Sequence, residues 1–457
     1  MNKITFLGAG STVFAKNVLG DCLQTDSLRE FEYALFDIDE GRLEESFQML
    51  SNINSNANGG KAKIVKYADR IEALRGAKYV INAIQVGGYE PCTVTDFEVP
   101  KKYGLRQTIA DTAGIGGIFR ALRTIPVMLD FVRDMEKVCP DALFLNYTNP
   151  MAMLTMAMLK ASSIKTIGIC HSVQTCVPIL LYRLGLPMDN LKYKIAGINH
   201  MAFLLEITRN GEDYYPLIKE HAVNGPIYKP YTKEMLEDYP QLLFPEYEFT
   251  PKKHDDLVRF EIMKRFGYYV TESSEHNAEY MPYFIKKGHP ELIEKYQIPL
   301  DEYPRRCKVQ IEHWNKLKAD LVGNKELTHT RTQEYPSYIL EALETGRTFS
   351  FAGNVMNEGL ITNLPQDACV EVTCVADKNG ILPCHIGKLP TQLAALNMSH
   401  IGMHQLTVEA ALTGRKEAIY QAALLDPHTA AELTIDEIYS MVDDLLEAHG
   451  EWLPKYK

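Results

Sequence analysis

The first forty residues constrain this chain most. A β-rich run, Ile4 to Leu7, meets the turn Gly8-Ala9-Gly10-Ser11-Thr12-Val13. A helix-like stretch from about Phe14 to Gln24 follows, then a second apolar run that ends at Asp37-Ile38-Asp39. Strand, glycine turn, helix, strand and acid in that order predict a dinucleotide-binding βαβ unit. The first glycine makes the turn, the second admits a pyrophosphate against the backbone, and the helix N-terminus stabilises phosphate charge. Asp37 stands where an acid accepts hydrogen bonds from an adenosine ribose, which favours NAD over NADP. Gly8, Gly10, Ser11, Thr12 and Asp37 are therefore the candidate cofactor contacts. Val13 replaces the third glycine of the fingerprint, so the flanking strands and the acid carry the reading.

Three more strands are expected at residues 62–67, 78–84 and 142–145, the second nearly all apolar, as a central parallel strand should be. Small and polar residues follow the last two: Gln85-Val86-Gly87-Gly88 and Asn146-Tyr147-Thr148-Asn149-Pro150. Ligands bind α/β sheets at such strand ends. Asn146 and Asn149 could bond a nicotinamide ribose or a substrate hydroxyl, or simply satisfy turn backbone. The loop Asp111 to Gly117 leads into a helix carrying Arg120 and Arg123, which could contact substrate or form surface ion pairs. The run Ile164 to Ile169 ends in Cys170-His171, and thirty residues on a second apolar run ends in Asn199-His200. Cys170 and His200 together could hold a borderline-soft divalent ion with room left for a substrate. The structural alternative is a core thiol and a hydrogen-bonded strand-end histidine.

Beyond His200 the pattern loosens. Residues 211–260 read as loops between short elements, 267–270 as a short strand, and 271–283 as a dense polar segment holding His276 and Tyr280. Helices are expected within 300–347, a polar loop at 354–363, a strand at 369–375, and an amphipathic helix after the capping box at Thr434-Ile435-Asp436-Glu437. The expected fold class is α/β: an N-terminal Rossmann-like parallel sheet over residues 1–195 and a mixed α+β substrate- and metal-binding domain over 196–457. The net charge of −11 argues against a nucleic-acid binder, which usually carries a basic face. Nine cysteines without a CxxC pair are no disulfide framework and fit a reducing cytoplasm. The short apolar N-terminus is not a signal peptide, and no run approaches the ~18 apolar residues of a membrane helix, so no membrane partner is expected.

These motifs, in this order, resemble family four of the glycoside hydrolases, the NAD- and Mn²⁺-dependent glycosidases. The resemblance covers essentially the whole chain, and Cys170-His171-Ser172-Val173 is similar to the branch that acts on α-galactosides. It implies a lactate/malate dehydrogenase-like fold and an unusual hydrolysis. NAD⁺ takes a hydride from C3 of the sugar, a metal polarises the ketone, a base removes the C2 proton, the leaving group departs, water adds, and the hydride returns. It further implies Cys170 and His200 as ligands of Mn²⁺ or another divalent transition metal, and His171 as the leaving-group acid. Tyr280 or His276 would be the C2 base, Asp111 an acid raising the tyrosine's basicity, Asn146 a cofactor contact and Asn149 a sugar contact. The implied substrate is an α-galactoside such as melibiose, and the implied assembly a homodimer or homotetramer. An α-glucosidase or α-galacturonidase is the near rival. A malate- or lactate-type dehydrogenase, which needs no metal pair, is the distant one, and a silent NAD-binding sensor the most distant.

Overall fold

A computed structural model describes residues 1–225, 227, 256–332 and 334–457; most of the loop segment expected at 211–260 lies outside them. In chain order the strands are β1 (Lys3–Leu7), β2 (Glu32–Phe36), β3 (Lys63–Tyr67), β4 (Tyr79–Asn82), β5 (Leu143–Asn146), β6 (Lys165–Gly168), β7 (Leu191–Ile198), β8 (Met201–Arg209), β9 (Glu212–Asp213), β10 (Tyr269–Val270), β11 (Phe349–Met356), β12 (Cys369–Asp377) and β13 (Gly380–Pro383). All belong to one sheet.

Six of them form a parallel half in the order β3-β2-β1-β4-β5-β6, the doubly wound arrangement that the first forty residues predict. β1 and β4 are wholly buried, as strands covered on both faces must be. Helices Val13–Leu23, Glu40–Asn58, Gly114–Val138 and Met151–Ala161 supply the cover. Asp39 caps the second of these by accepting from the Arg42 N–H. Leu7, Asn82, Asn146 and Gly168 lie level across the sheet, so the loops after β1, β4, β5 and β6 open on one edge.

The other half is antiparallel. β11 pairs with β12 along eight residues, and β7 with β8 in a hairpin whose turn is Asn199-His200. β6 meets β11 at a single residue pair, Asn354↔Gly168, and β12 meets β7 at another, Glu371↔Gly197.

Several expectations change. Residues 354–356 complete β11 rather than opening a loop, because Asn354 is polar for the sake of the joint between the halves. The segment 271–283 contains a short helix, Ser274–Tyr280, capped by Ser273. Arg123 forms no surface pair: it is 1% exposed, its guanidinium grips Asp96 at 2.6 and 3.1 Å, and His449 closes on the same carboxylate at 2.9 Å. The C-terminal helix, Ile435–His449, buries Ile438, Met441, Val442 and Leu445 against helices Val94–Lys102 and Glu417–Leu425. Its face is core, while Ile435 stays two-thirds exposed. No helix among the described residues is long and apolar enough to cross a membrane.

Candidate active site

A cavity of about 2320 Å³ runs along the shared edge from the Gly8 turn to the Asn199-His200 hairpin. Gly8, Gly10, Ser11, Thr12 and Asp37 line one end. Gly8 has φ +87°, and a Cβ there would lie 2.7 Å from the Ala83 carbonyl oxygen, so only glycine fits. The Gly10 N–H donates to Asp37 Oδ2 at 2.7 Å, and a Cβ on Gly10 would strike that carboxylate. Asp37 is thus held at the turn, and the Ser11 hydroxyl is buried there without a partner. An orphaned donor, an acid and a bare backbone fit a dinucleotide. Asn146 does not join them. Its side chain is fully buried, accepts from Asn82 and from the Thr148 N–H, and donates to the Thr148 carbonyl, so it serves the turn. Asn149 lines the cavity, and its Oδ1 has no partner.

At the other end stand Cys170 and His200, 3.3 Å apart from Sγ to Nε2. β6 delivers Cys170 to the N-cap of helix His171–Arg183, and the β7–β8 turn delivers His200 with φ +63°. Glu272 Oε2 lies 3.5 Å from the same Nε2, and one donor atom from each of the three falls within 4.8 Å of the others. Asp111, His200 and His276 form a second such group. Burial opposes a charge on His200, yet Glu272, Cys170 and Asp111 outweigh it and raise its pKa to about 10. Anionic groups that crowd one imidazole this way suit a divalent cation. Cys170 and His200 are close enough for one ion to reach both through bonds of about 2.0–2.3 Å.

Tyr280 lies behind His200, not in the cavity wall: it is 1% exposed, and its hydroxyl sits 3.3 Å from His200 Nδ1. His276 is on the wall. Burial lowers its pKa despite Glu272 and Asp111, so the ring is neutral near pH 7. Its Nδ1 is 2.8 Å from Ser273 Oγ, and its Nε2 is 3.7 Å from Asp111 Oδ1. Burial works against charge on Asp111, but His276, Arg120 and His200 hold its carboxyl below its usual range. Glu279 secures the Asp111 loop by accepting from the N–H groups of Thr108, Ile109 and Ala110. Arg120, expected as a substrate contact or a surface pair, is buried in the wall, donating to the Asn149 carbonyl and over the Tyr303 ring.

His171 also lines the cavity, stacked on Tyr147 with its Nε2 2.9 Å from Glu334 Oε2. Tyr147 donates to the same oxygen at 2.8 Å. Burial disfavours the imidazolium, but Glu334, with Cys170 and Glu272, raises its pKa to about 9. Asp21 holds the approach to Glu334 by accepting from the Thr332 N–H at 2.8 Å and its hydroxyl at 2.6 Å. Sequence reasoning named neither Glu272 nor Glu334. The first lay inside the polar segment; the second, 163 residues from its partner, carried no signal. Thr12, Ala110, His200 and Glu272, four of the nine non-glycine residues with positive φ among those described, sit on this wall or between its residues.

The model of family 4 glycosyl hydrolases matches residues 3–186, and that of the family's C-terminal domain matches residues 195–429. The chain is a family 4 glycosyl hydrolase. It is 60% identical over 457 residues, 100% of both chains, to an alpha-galactosidase of Bacillus subtilis (strain 168). The structure of this family 4 hydrolase is similar to that of a 6-phospho-alpha-glucosidase from gut microorganisms in complex with NAD and Mn²⁺. The TM-score is 0.80, with 19% identity over 100% of both chains. A malate dehydrogenase from Plasmodium falciparum shares the architecture at TM-score 0.52 and 12% identity, covering 92% of this chain and 100% of its own. That likeness is one of fold alone.

Proposed function

We propose that this family 4 hydrolase cleaves α-galactosides such as melibiose with the help of NAD and a divalent metal, Mn²⁺ foremost. The observation that carries the reading is the placement of the Cys170–His200–Glu272 cluster on the edge that opens at the Gly8 turn. The 60% identity to an alpha-galactosidase supplies the substrate class. When bound, NAD would accept and return the hydride of sugar C3, and the metal would act as the Lewis acid for the ketone so formed.

The chain's own residues do the rest. Gly8, Gly10, Ser11, Thr12 and Asp37 bind the dinucleotide. Cys170 and His200 hold the metal, with the Glu272 carboxylate beside them. Asn149 orients the sugar through its free Oδ1. His276, neutral and on the wall, takes the C2 proton on an imidazole nitrogen, and Asp111 and Glu272 stabilise the imidazolium. Tyr280, the other candidate base, instead orients His200 through Nδ1. His171 gives a proton to the leaving oxygen; Glu334 engages its Nε2, so the proton would leave from Nδ1. Nine free cysteines fit a reducing cytoplasm. Assembly as a homodimer or homotetramer is part of the same reading and is checked by light scattering.

Dialysed, reduced protein is assayed on p-nitrophenyl α-galactoside with NAD⁺ and Mn²⁺ added singly and together. Turnover only with both, without net NADH, is expected. Turnover with neither would overturn the mechanism, and faster turnover of the α-glucoside or α-galacturonide would overturn the substrate.

A further inference from the structure

The joint between the two halves of the sheet lies in a row of four residues, one from each of four strands. Gly168 of β6 pairs with Asn354 of β11, Asn354 with Glu371 of β12, and Glu371 with Gly197 of β7. The row ends in glycine on both sides. A Cβ at Gly168 would lie 2.5 Å from Met151 Sδ and 2.9 Å from Asn354 Cβ, and one at Gly197 would lie 2.7 Å from Ala202 Cα. Side chains therefore occur only at the middle two positions, and they are hydrogen-bonded to each other.

Asn354 Nδ2 donates to Glu371 Oε1 at 3.0 Å and reaches the Gly168 carbonyl at 3.4 Å. Asn199 Nδ2 donates to the same Glu371 oxygen at 3.3 Å. The three side chains are 0%, 1% and 4% exposed at Asn354, Glu371 and Asn199. A carboxyl group buried this deeply is costly, and no step of the reaction uses it. What it links is specific. Gly168 is two residues before Cys170, and Asn199 is the residue before His200. The backbone alone ties these strand ends through one residue pair on each side.

We propose that Glu371 is a positioning residue for the metal site: with Asn354 and Asn199 it fixes the separation of Cys170 and His200. The proposal rests on the reading that those two side chains hold a divalent metal. Residues that orient metal ligands typically change metal affinity or activity by roughly 10- to 100-fold when removed.

The test measures Mn²⁺ dissociation constants from the free-ion electron paramagnetic resonance signal, without substrate. Wild type, Glu371→Leu, Glu371→Gln and Asn199→Ala are compared. NAD⁺ affinity and the melting temperature of the metal-free protein are measured alongside. Glu371→Leu is expected to weaken Mn²⁺ binding roughly 10- to 100-fold and to leave NAD⁺ affinity within about twofold. Glu371→Gln should stay near wild type in Mn²⁺ affinity, since Oε1 remains as the acceptor for both asparagines. Asn199→Ala, which removes only the tether to the His200 turn, should follow Glu371→Leu and serves if the leucine variant does not fold. Unchanged Mn²⁺ affinity in Glu371→Leu or Asn199→Ala, or parallel loss of Mn²⁺ and NAD⁺ binding, would overturn the proposal. A wild-type protein that takes up no Mn²⁺ would overturn it together with the metal reading, a result distinct from loss in the variants alone.

Discussion

Replacing Asp256 by Asn should destabilise this protein strongly. The carboxylate is fully buried, accepts hydrogen bonds from Arg259 Nε at 2.5 Å and Nη2 at 3.1 Å, the Tyr269 hydroxyl at 2.5 Å and Ser274 Oγ at 2.9 Å, and forms an ion pair with Arg183 Nη1 at 2.9 Å. It thereby ties the helix that begins beside Cys170 to the helix that carries His276. Burial alone would raise its pKa, but the Arg259 and Arg183 guanidinium groups outweigh that and hold it well below the usual carboxylate range. Asn keeps one acceptor oxygen and removes the charge, leaving two buried guanidinium groups facing each other. Breaking a buried pair in this way costs about 3–5 kcal/mol, and the retained oxygen puts Asn near 3 and Ala near 5. A loss of about 3 kcal/mol multiplies the unfolding constant by roughly 150. Urea unfolding followed by circular dichroism, with refolding checked, measures it at pH 7.

The pH dependence gives a second handle. A depressed folded-state pKa contributes stability above the unfolded value of about 3.9 and loses it as the pH falls. The gap between wild type and Asp256→Asn should be full at pH 5 and above, and narrow below about pH 4. A gap under about 1 kcal/mol at pH 7, or one that does not narrow in acid, would refute the reasoning.

Gly10→Ala should weaken NAD⁺ binding about 10- to 100-fold, from loss of a charge-assisted hydrogen bond worth about 1.5–3 kcal/mol, as Cβ pushes Asp37 aside; fluorescence titration checks it. Chelator treatment followed by dialysis should remove galactosidase activity and added Mn²⁺ should restore it, whereas Cys170→Ser should need far more Mn²⁺ for any recovery. His276→Ala should lower kcat roughly 10²- to 10⁴-fold and stop exchange of the sugar's C2 hydrogen with solvent deuterium. Tyr280→Phe should mainly raise the Mn²⁺ requirement, about 10- to 100-fold, and leave C2 exchange intact once saturated. The reverse pattern would exchange their roles.

The sequence made the parallel half legible because its signals are local. Gly8, Gly10 and Asp37 lie within thirty residues of one another, and their spacing has a physical cause at each position. The pairing of Cys170 with His200 was readable for a weaker reason: both end apolar strands. What escaped depends on contacts far apart in the chain. Glu334 reaches His171 through a loop held by Asp21, more than three hundred residues earlier. Tyr280 and His276 are both plausible bases in one polar segment; at i and i+4 they share a helix face with rings 6.0 Å apart, and the rise of one turn sets His276 at the cavity wall and Tyr280 behind His200. Asn146 looked like a contact because it ends a parallel strand, yet turn backbone takes both ends of its amide. Asn354 looked like loop because a buried polar residue inside a strand is uncommon unless another strand end needs it.

The left-handed residues around the cavity bear on how this protein would respond to selection. Thr12, Ala110, His200 and Glu272 each occupy a backbone region that costs a non-glycine residue about 1–3 kcal/mol. Together that is roughly 4–12 kcal/mol, comparable with the net stability of about 5–15 kcal/mol typical of a domain. A library passed through heat alone, without a screen for turnover, should therefore drift towards glycine at these four positions. Its survivors would outlast the parent at high temperature, and those altered at 200 or 272 would lose a member of the Cys170–His200–Glu272 cluster. Durability and chemistry compete here for the same few torsion angles.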